Sequence, residues 1–424
     1  MRQFKLNISK DYLFTFITEF TVLIAGIVVY KLAAMYLGDE GFAGYALSRR
    51  VLSFLQPVIL LGLGVGIPRY VAFSEAGQDK KADTYFISGI IVLIASTIVA
   101  TGLLLVFRKS LSFVLFGDVK YFILILPMCI MLFGMILHSA VYSYLRGRIK
   151  MLIANSIQLI NLGIIPLIVF IFNKELIRIL IFTGIAWIAI SGLFIIVIVA
   201  KLHFERNLFR ESVRKLLNYG FQRIPGDVGI AAFFLIPAFM TAHIADFTTA
   251  GHVAFGVSLL NMVGGAFGPI CLILLPQASH FIVKGEMNLL RKTADKILFW
   301  TILVTGLGLL IFEIFAESLI NLYLGETFHD IILITRLVLL GSFGYTVYIS
   351  LRSILDAYYI KAVNTKNIFI SFVIFCILLI ILWLFTDDYI FILLCFVISM
   401  LVLGILTLLD TYKIFSQGKL KKGI

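Results

Sequence analysis

The feature that most limits what this chain can fold into is a succession of long apolar runs. They cover approximately 13–37, 43–68, 85–107, 121–144, 152–173, 177–200, 219–243, 250–276, 295–316, 331–351, 368–385 and 389–409. A run of about 20 apolar residues crosses the roughly 30 Å hydrocarbon core of a bilayer as a helix. Backbone groups in lipid must pair internally, which leaves only helices or a closed barrel. The runs do not alternate polar and apolar in segments of about ten residues, which disfavours a barrel. The expected class is therefore an all-α integral membrane protein with twelve transmembrane helices. Composition agrees: 61% of the residues are hydrophobic and only 14% charged, too little polar surface for a soluble chain of this length. The basic segment Met1 to Asp11 precedes a run too long for a signal peptide's apolar region and lacks a small-residue cleavage site, so a first permanent helix is expected. Cys129, Cys271, Cys376 and Cys395 all lie in apolar runs without metal-like or redox-like spacing, and read as small buried residues.

The net charge of +12 would suit nucleic acid, but its placement points to topology. Of the 35 Lys and Arg, 26 fall on one side of the alternating runs, 6 on the other, and Lys31, Arg49 and Arg50 in or beside the first two. Cytoplasmic loops collect Lys and Arg, so both termini are expected in the cytoplasm.

The two sets of six runs repeat. Asp39 and Asp246 each precede a glycine by five residues, at an offset of 207. Pro68, Gly77, Phe107, Ser110-Leu111 and Gly117 recur at offset 208 as Pro276, Gly285, Phe315, Ser318-Leu319 and Gly325. Leu145-Arg146-Gly147 and Leu355-Asp356-Ala357 stand at offset 210. Six is even, so the repeats are parallel and enclose a central cavity, the usual place for a transporter's site. The expected organisation is an N-terminal lobe over 1–200, a cytoplasmic linker over 201–218, and a C-terminal lobe over 219–424 with a basic cytoplasmic tail.

There is no Walker A sequence, which argues against ATP hydrolysis by this chain. Gly62, Gly64 and Gly66 sit in an apolar run and suit close helix packing or a flexible helix end, not a nucleotide loop. Ionisable residues within spans are more informative, since lipid exposure costs each about 2.5–3.5 kcal/mol or more. Glu19 is either neutral, paired with a nearby cation, or a coupling group. Lys31 and Arg336 either snorkel to the outer interface or face a cavity, and Arg223 and Arg352 sit close to the inner surface; Arg223 joins Lys31, Arg49 and Arg50 as a candidate cavity cation for a substrate diphosphate. Asp227 opens the seventh span. Arg49 and Arg50 lie well inside the second run, and adjacent helical residues point about 100° apart, so at least one must face protein. A guanidinium there would suit an anionic substrate. Gln56, Gln158, Asn161, Asn261 and Tyr345 could face sugar hydroxyls or hydrogen-bond between helices.

The stretch Tyr36-Leu37-Gly38-Asp39-Glu40-Gly41-Phe42-Ala43-Gly44-Tyr45 and the following Leu61-Gly62-Leu63-Gly64-Val65-Gly66-Ile67-Pro68-Arg69-Tyr70 resemble the polysaccharide flippases. Leu145-Arg146-Gly147, Leu355-Asp356-Ala357-Tyr358-Tyr359 and Asn364 are similar to that family's fourth and tenth helix ends. The group is the O-antigen and polysaccharide flippases of the multidrug/oligosaccharidyl-lipid/polysaccharide (MOP) exporter superfamily. The resemblance implies two six-helix lobes in a V. It implies alternating-access transfer of an undecaprenyl-diphosphate-linked oligosaccharide, an O-antigen or other surface polysaccharide unit, to the outer leaflet of a bacterial cytoplasmic membrane. Coupling to an H+ or Na+ gradient or to the membrane potential is implied, with no cofactor. Membrane lipid, a polysaccharide polymerase and chain-length machinery are the implied partners; nucleic acid is not. Arg49-Arg50 is similar to basic residues of the related lipid II flippases, though twelve spans argue against lipid II itself. A multidrug or organic-cation antiporter of the same superfamily is the competing expectation, with Glu19 or Asp227 carrying protons. A membrane-embedded polymerase or acyltransferase is a weaker one, because no outside connection is long.

Overall fold

The computed structural model describes residues 8–76, 81–359, 362–384, 386 and 388–417. No strand occurs among them. The chain divides into two compact units, Met1–Ala231 and Ala232–Ile424.

In the first unit, α1 (Ile8–Leu60) carries two of the apolar runs and is broken at Gly38, with φ 65° and ψ −176°. Glycine takes that left-handed φ without the penalty of a Cβ. A straight helix of that length would be about 80 Å long, more than twice a hydrocarbon core. A second break, at Leu61 (φ 50°) and Gly62 (φ 71°), leads into α2 (Leu63–Ala76). Then come α3 (Lys81–Val106), α4 (Arg108–Phe116) and α5 (Ile125–Gly147). The next span runs from α6 (Met151–Gln158) through a π-helical turn, Leu159–Ile164, into α7 (Ile165–Phe172). It is followed by α8 (Leu176–Val199). Helices α5 and α8 cross almost backbone to backbone: a Cβ on Gly134 would stand 2.9 Å from the Gly184 carbonyl, and one on Gly184 would stand 2.7 Å from the Met131 nitrogen. Small residues permit that approach where lipid provides no hydrophobic drive between helices.

The stretch expected as a linker is structured. Its larger part is α9 (Phe209–Phe221), with Arg210, Arg214 and Lys215 exposed and Ser212, Leu216 and Gly220 buried. It packs on α2 and α3. The division of the chain falls later, within α10 (Ile224–Ile244).

The second unit contains α11 (Phe247–Val283), α12 (Met287–Leu324), α13 (Asp330–Leu340), α14 (Ser342–Tyr358), α15 (Val363–Trp383) and α16 (Tyr389–Gln417). Helices α13 and α14 follow one another across a 42° bend. Phe233, Phe375 and Phe396 pack ring against ring in its core. Buried hydroxyls pair across α12 and α14, Thr301 with Ser350 at 3.0 Å and Thr305 with Thr346 at 3.1 Å. Arg336, expected to snorkel or to face a cavity, is 3.4 Å from the Glu313 carboxylate.

The described residues hold ten helices long and apolar enough to cross a membrane, or eleven if the bent pair is one span. A count of twelve requires α1 to be taken as two spans, as its break at Gly38 and its length allow. Large apolar side chains such as Phe16, Ile98, Phe172, Ile196 and Ile314 are exposed, the outward face of a protein whose solvent is lipid. The repeat has a local echo, since the paired glycines Gly117 and Gly325 both end helices at positive φ, 77° and 108°. Gly77 of the repeat lies outside the described residues, as do the basic tail beyond Gln417, Arg2, Lys5, Lys80 and Lys361.

Asp246, the partner of Asp39 in the repeat, caps α11. Its carboxylate accepts from the Thr248 and Thr249 amides at 2.8 and 2.9 Å and from the Thr249 hydroxyl at 2.7 Å. Burial pushes the carboxyl up, but these hydrogen bonds outweigh it and hold it below the ordinary range. Asp246→Ala is expected to cost about 1 kcal/mol of stability. Because the folded-state value is depressed, the carboxylate's contribution is complete above the ordinary carboxylate pKa and disappears as pH falls through the depressed one. Unfolding midpoints of the purified protein at neutral and acid pH check this: the gap between Asp246→Ala and the parent should close on acidification.

Candidate functional site

On α1, Arg49, Leu52, Ser53, Gln56 and Leu60 follow one helical face. On α5, Met135, His138, Ser139, Tyr142 and Ser143 do the same. With Gly64, Gln158, Leu162 and Trp187 these two faces line a cavity of about 370 Å³ within the first unit. Its walls are tied by hydrogen bonds. The Gln56 amide donates to the Ser139 hydroxyl at 3.0 Å, and the Ser143 hydroxyl donates to the Gly64 carbonyl at 3.1 Å. The Gln158 amide donates to the Glu19 carboxylate at 2.9 Å, while the Gln158 Oε1 is buried with no hydrogen-bond partner among the described residues.

Arg49 is half-buried. None of the residues lining the cavity is an acid, and no carboxylate pairs with Arg49 among the described residues. The cavity therefore presents a cation with neutral hydroxyls and amides. Behind it, Asn161 stands in the π-helical turn, and its side-chain amide is 3.0 Å from both the His138 Nδ1 and the Ser191 hydroxyl. The Trp187 indole donates to the Asn161 carbonyl. A π-helical turn shifts the register of α6 and α7, which puts Asn161 in this buried network, and Asn161 is not in the cavity lining.

Of the residues singled out in the sequence, Arg49, Gln56 and Gln158 meet in the cavity. Glu19 meets the cavity wall through Gln158, whose amide it accepts. Arg50 is 5% exposed and outside the lining, because its neighbour's position leaves it about 100° round the helix. Lys31 is half-buried and outside the lining: it stands seven residues before the Gly38 break and Arg49 eleven after it, so the two are at different heights. Arg223 and Asp227 are exposed where α9 gives way to α10. Asn261 and Tyr345 lie in the second unit and bond each other, hydroxyl to amide oxygen, at 3.2 Å. His138, Ser139, Tyr142 and Ser143 carry no signal of charge and are marked in the sequence only by their helical spacing along α5, and Trp187 of α8 is not marked at all. Among the described residues no group of three His, Cys, Asp or Glu could hold a metal ion.

Long apolar helices in two units, one of them enclosing a polar cavity, define a multi-pass helical membrane protein, and solved structures share this fold. An inward-facing multidrug resistance MATE family transporter of the MOP superfamily superposes with a TM-score of 0.75 at 14% identity, over 96% of this chain and 100% of that one. A eukaryotic MATE transporter gives 0.71 at 12% identity, over 97% and 98%. A MOP superfamily transporter from Pyrococcus furiosus, for which a binding pocket of reversed polarity was taken to indicate a different function, gives 0.66 at 14%, over 97% and 96%. At these identities the likeness is one of fold. The polysaccharide biosynthesis protein family matches residues 8–282, and the chain belongs to that family. Among curated proteins none matches the sequence.

Proposed function

We propose that this protein is a flippase for an undecaprenyl-diphosphate-linked oligosaccharide, moving it from the cytoplasmic to the outer leaflet of a bacterial cytoplasmic membrane with both termini inside. The observation that carries the reading is the cavity with Arg49 in its wall and no acid in its lining. A guanidinium pairs bidentately with phosphate oxygens, and Ser53, Gln56, Ser139, Tyr142 and Gln158 offer donors and acceptors for sugar hydroxyls. About 370 Å³ is small for a whole repeat unit, so the cavity takes the diphosphate end and adjoining sugar. Membership of the polysaccharide biosynthesis protein family supports a glycan substrate. An H+ or Na+ gradient or the membrane potential would drive the cycle, with Glu19 or Asp227 as the candidate coupling carboxylates. A polysaccharide polymerase and its chain-length machinery would receive the product.

The MATE structures favour a second reading, an organic-cation antiporter. That activity wants an anionic cavity, whereas no acid lines this one and the Glu19 carboxylate that touches its wall is bonded to Gln158. Vesicles reconstituted with the purified protein separate the two. Fluorescent lipid-linked oligosaccharide should become accessible on the far leaflet at a rate well above protein-free vesicles, and organic cations should not be transported. Cation transport without lipid transfer would sink the flippase reading.

A further inference from the structure

Arg69 and Arg223 are exposed and outside the cavity lining. Both stack on the ring of Tyr219, with guanidinium carbons 4.5 and 4.8 Å from its centroid. Arg69 is also 5.3 Å from the Phe73 ring. The three come from different places: Arg69 from α2, Tyr219 from the last turn of α9, and Arg223 from the turn that follows.

Their junction is fixed by backbone contact. A Cβ on Gly220 would stand 2.0 Å from the Leu61 carbonyl, and one on Gly62 would stand 2.5 Å from the Gly220 carbonyl. Two other cations at this end of the unit are taken by carboxylates. Arg148 bonds Glu75 at 2.6 Å and Asp83 at 2.7 Å, and Lys215 bonds Glu211. Neither Arg69 nor Arg223 has such a partner among the described residues.

A guanidinium laid on an aromatic face keeps its planar fork of donors available at the edge. Two forks held on one ring lie no farther apart than the sum of their distances to it, and each is already partly ordered, which lowers the cost of binding. The anion that pairs with both is one with several oxygens on a compact centre, a phosphate or diphosphate. Phe73 and Phe221 are 61% and 55% exposed beside the two arginines. Apolar rings next to cations suit a ligand that joins a phosphate to a hydrocarbon chain, not a free anion.

We infer that Arg69, Tyr219 and Arg223 form a binding site for a phosphate-bearing lipid headgroup, separate from the Arg49 cavity. The inference does not rest on the transported substrate: bulk anionic phospholipid and a diphosphate-linked lipid share the chemistry.

Native mass spectrometry of the full-length protein, titrated with phosphatidylglycerol, undecaprenyl diphosphate or phosphatidylcholine, tests it. The pair Arg69→Gln/Arg223→Gln should lower affinity at least about tenfold for phosphatidylglycerol, for undecaprenyl diphosphate or for both, with phosphatidylcholine unchanged. Which of the two anionic arms falls names the source. Arg291→Gln/Lys292→Gln, an exposed basic pair on α12, should leave all three unchanged. Tyr219→Leu keeps both charges but removes the ring, and should weaken binding in the same arm as the double variant. Unaltered affinity of both the arginine pair and Tyr219→Leu, or an equal loss from the α12 pair, overturns the site.

Discussion

Arg49→Ala is expected to abolish translocation of a diphosphate-linked glycan while the protein still inserts and purifies as the parent does. Arg49 is the cation in the cavity wall, and no acid lines the space it faces. Removing one partner of a desolvated, hydrogen-bonded charge pair costs roughly 2–5 kcal/mol, and each 1.4 kcal/mol is about tenfold in affinity. A loss of at least about 30-fold in transfer rate at limiting substrate is therefore expected. Folding should hardly change, because no carboxylate is left behind unpaired when the guanidinium is taken away. Arg49→Lys keeps the charge but not the planar fork, and should fall between parent and alanine variant. The rate of lipid-linked oligosaccharide transfer in reconstituted vesicles is the measurement. An Arg49→Ala protein that transfers at the parent's rate would remove the diphosphate role from this residue. Arg50 is the internal contrast. It is buried away from the cavity, so Arg50→Ala should show as lower yield and stability before any specific loss of substrate affinity.

Much of this architecture is legible in the sequence because lipid imposes it. The apolar runs at 85–107, 177–200 and 389–409 correspond to α3, α8 and α16, since a helix crossing hydrocarbon needs length and apolarity more than any particular residue. The breaks are legible only in part. Gly38 stands in the turn that the charge alternation requires, whereas the positive φ at Leu61 is hidden, a leucine among leucines. The hydrophilic stretch over 201–218 reads as a linker whatever its local structure, because polarity alone does not separate a loop from a helix such as α9, which buries Ser212, Leu216 and Gly220 on one side.

For the cavity, charge found Arg49, but charge also drew attention to Lys31, Arg50 and Arg223, which the helix geometry sends elsewhere. What the charges could not show is the opposite wall. His138, Ser139, Tyr142 and Ser143 recur at helical spacing along α5, so a wheel drawn on that span separates their face from the remainder. The partner of that face, Gln158, depends on which helices pack together, and that is set by side-chain volumes and by glycine pairs such as Gly134 and Gly184. No single-span pattern contains it.

The same glycine logic gives the largest expected effect on folding. A Cβ on Gly344 would stand 2.0 Å from the Met400 carbonyl oxygen and 2.6 Å from the Leu401 Cα, and one on Gly404 would meet the Gly344 Cα at 2.6 Å. Helices α14 and α16 thus touch through their main chains. Overpacking in a core usually costs about 1–3 kcal/mol because side chains move aside. Here the obstacle is backbone, so α16 as a whole would have to shift, and Gly344→Ala is expected to cost at least about 3 kcal/mol. Gly308 on α12 has nothing within 4 Å of its Cβ position. There the same substitution should stabilise by up to about 1 kcal/mol, through helix propensity and a less free unfolded chain. One methyl group would thus act with opposite sign at two helical glycines. Unfolding midpoints of the two purified variants in denaturing detergent measure it. Equal midpoints would mean that α14 and α16 do not cross at Gly344 and Gly404. A parent-like Gly344→Ala combined with a destabilised Gly404→Ala would place the crossing elsewhere along α16.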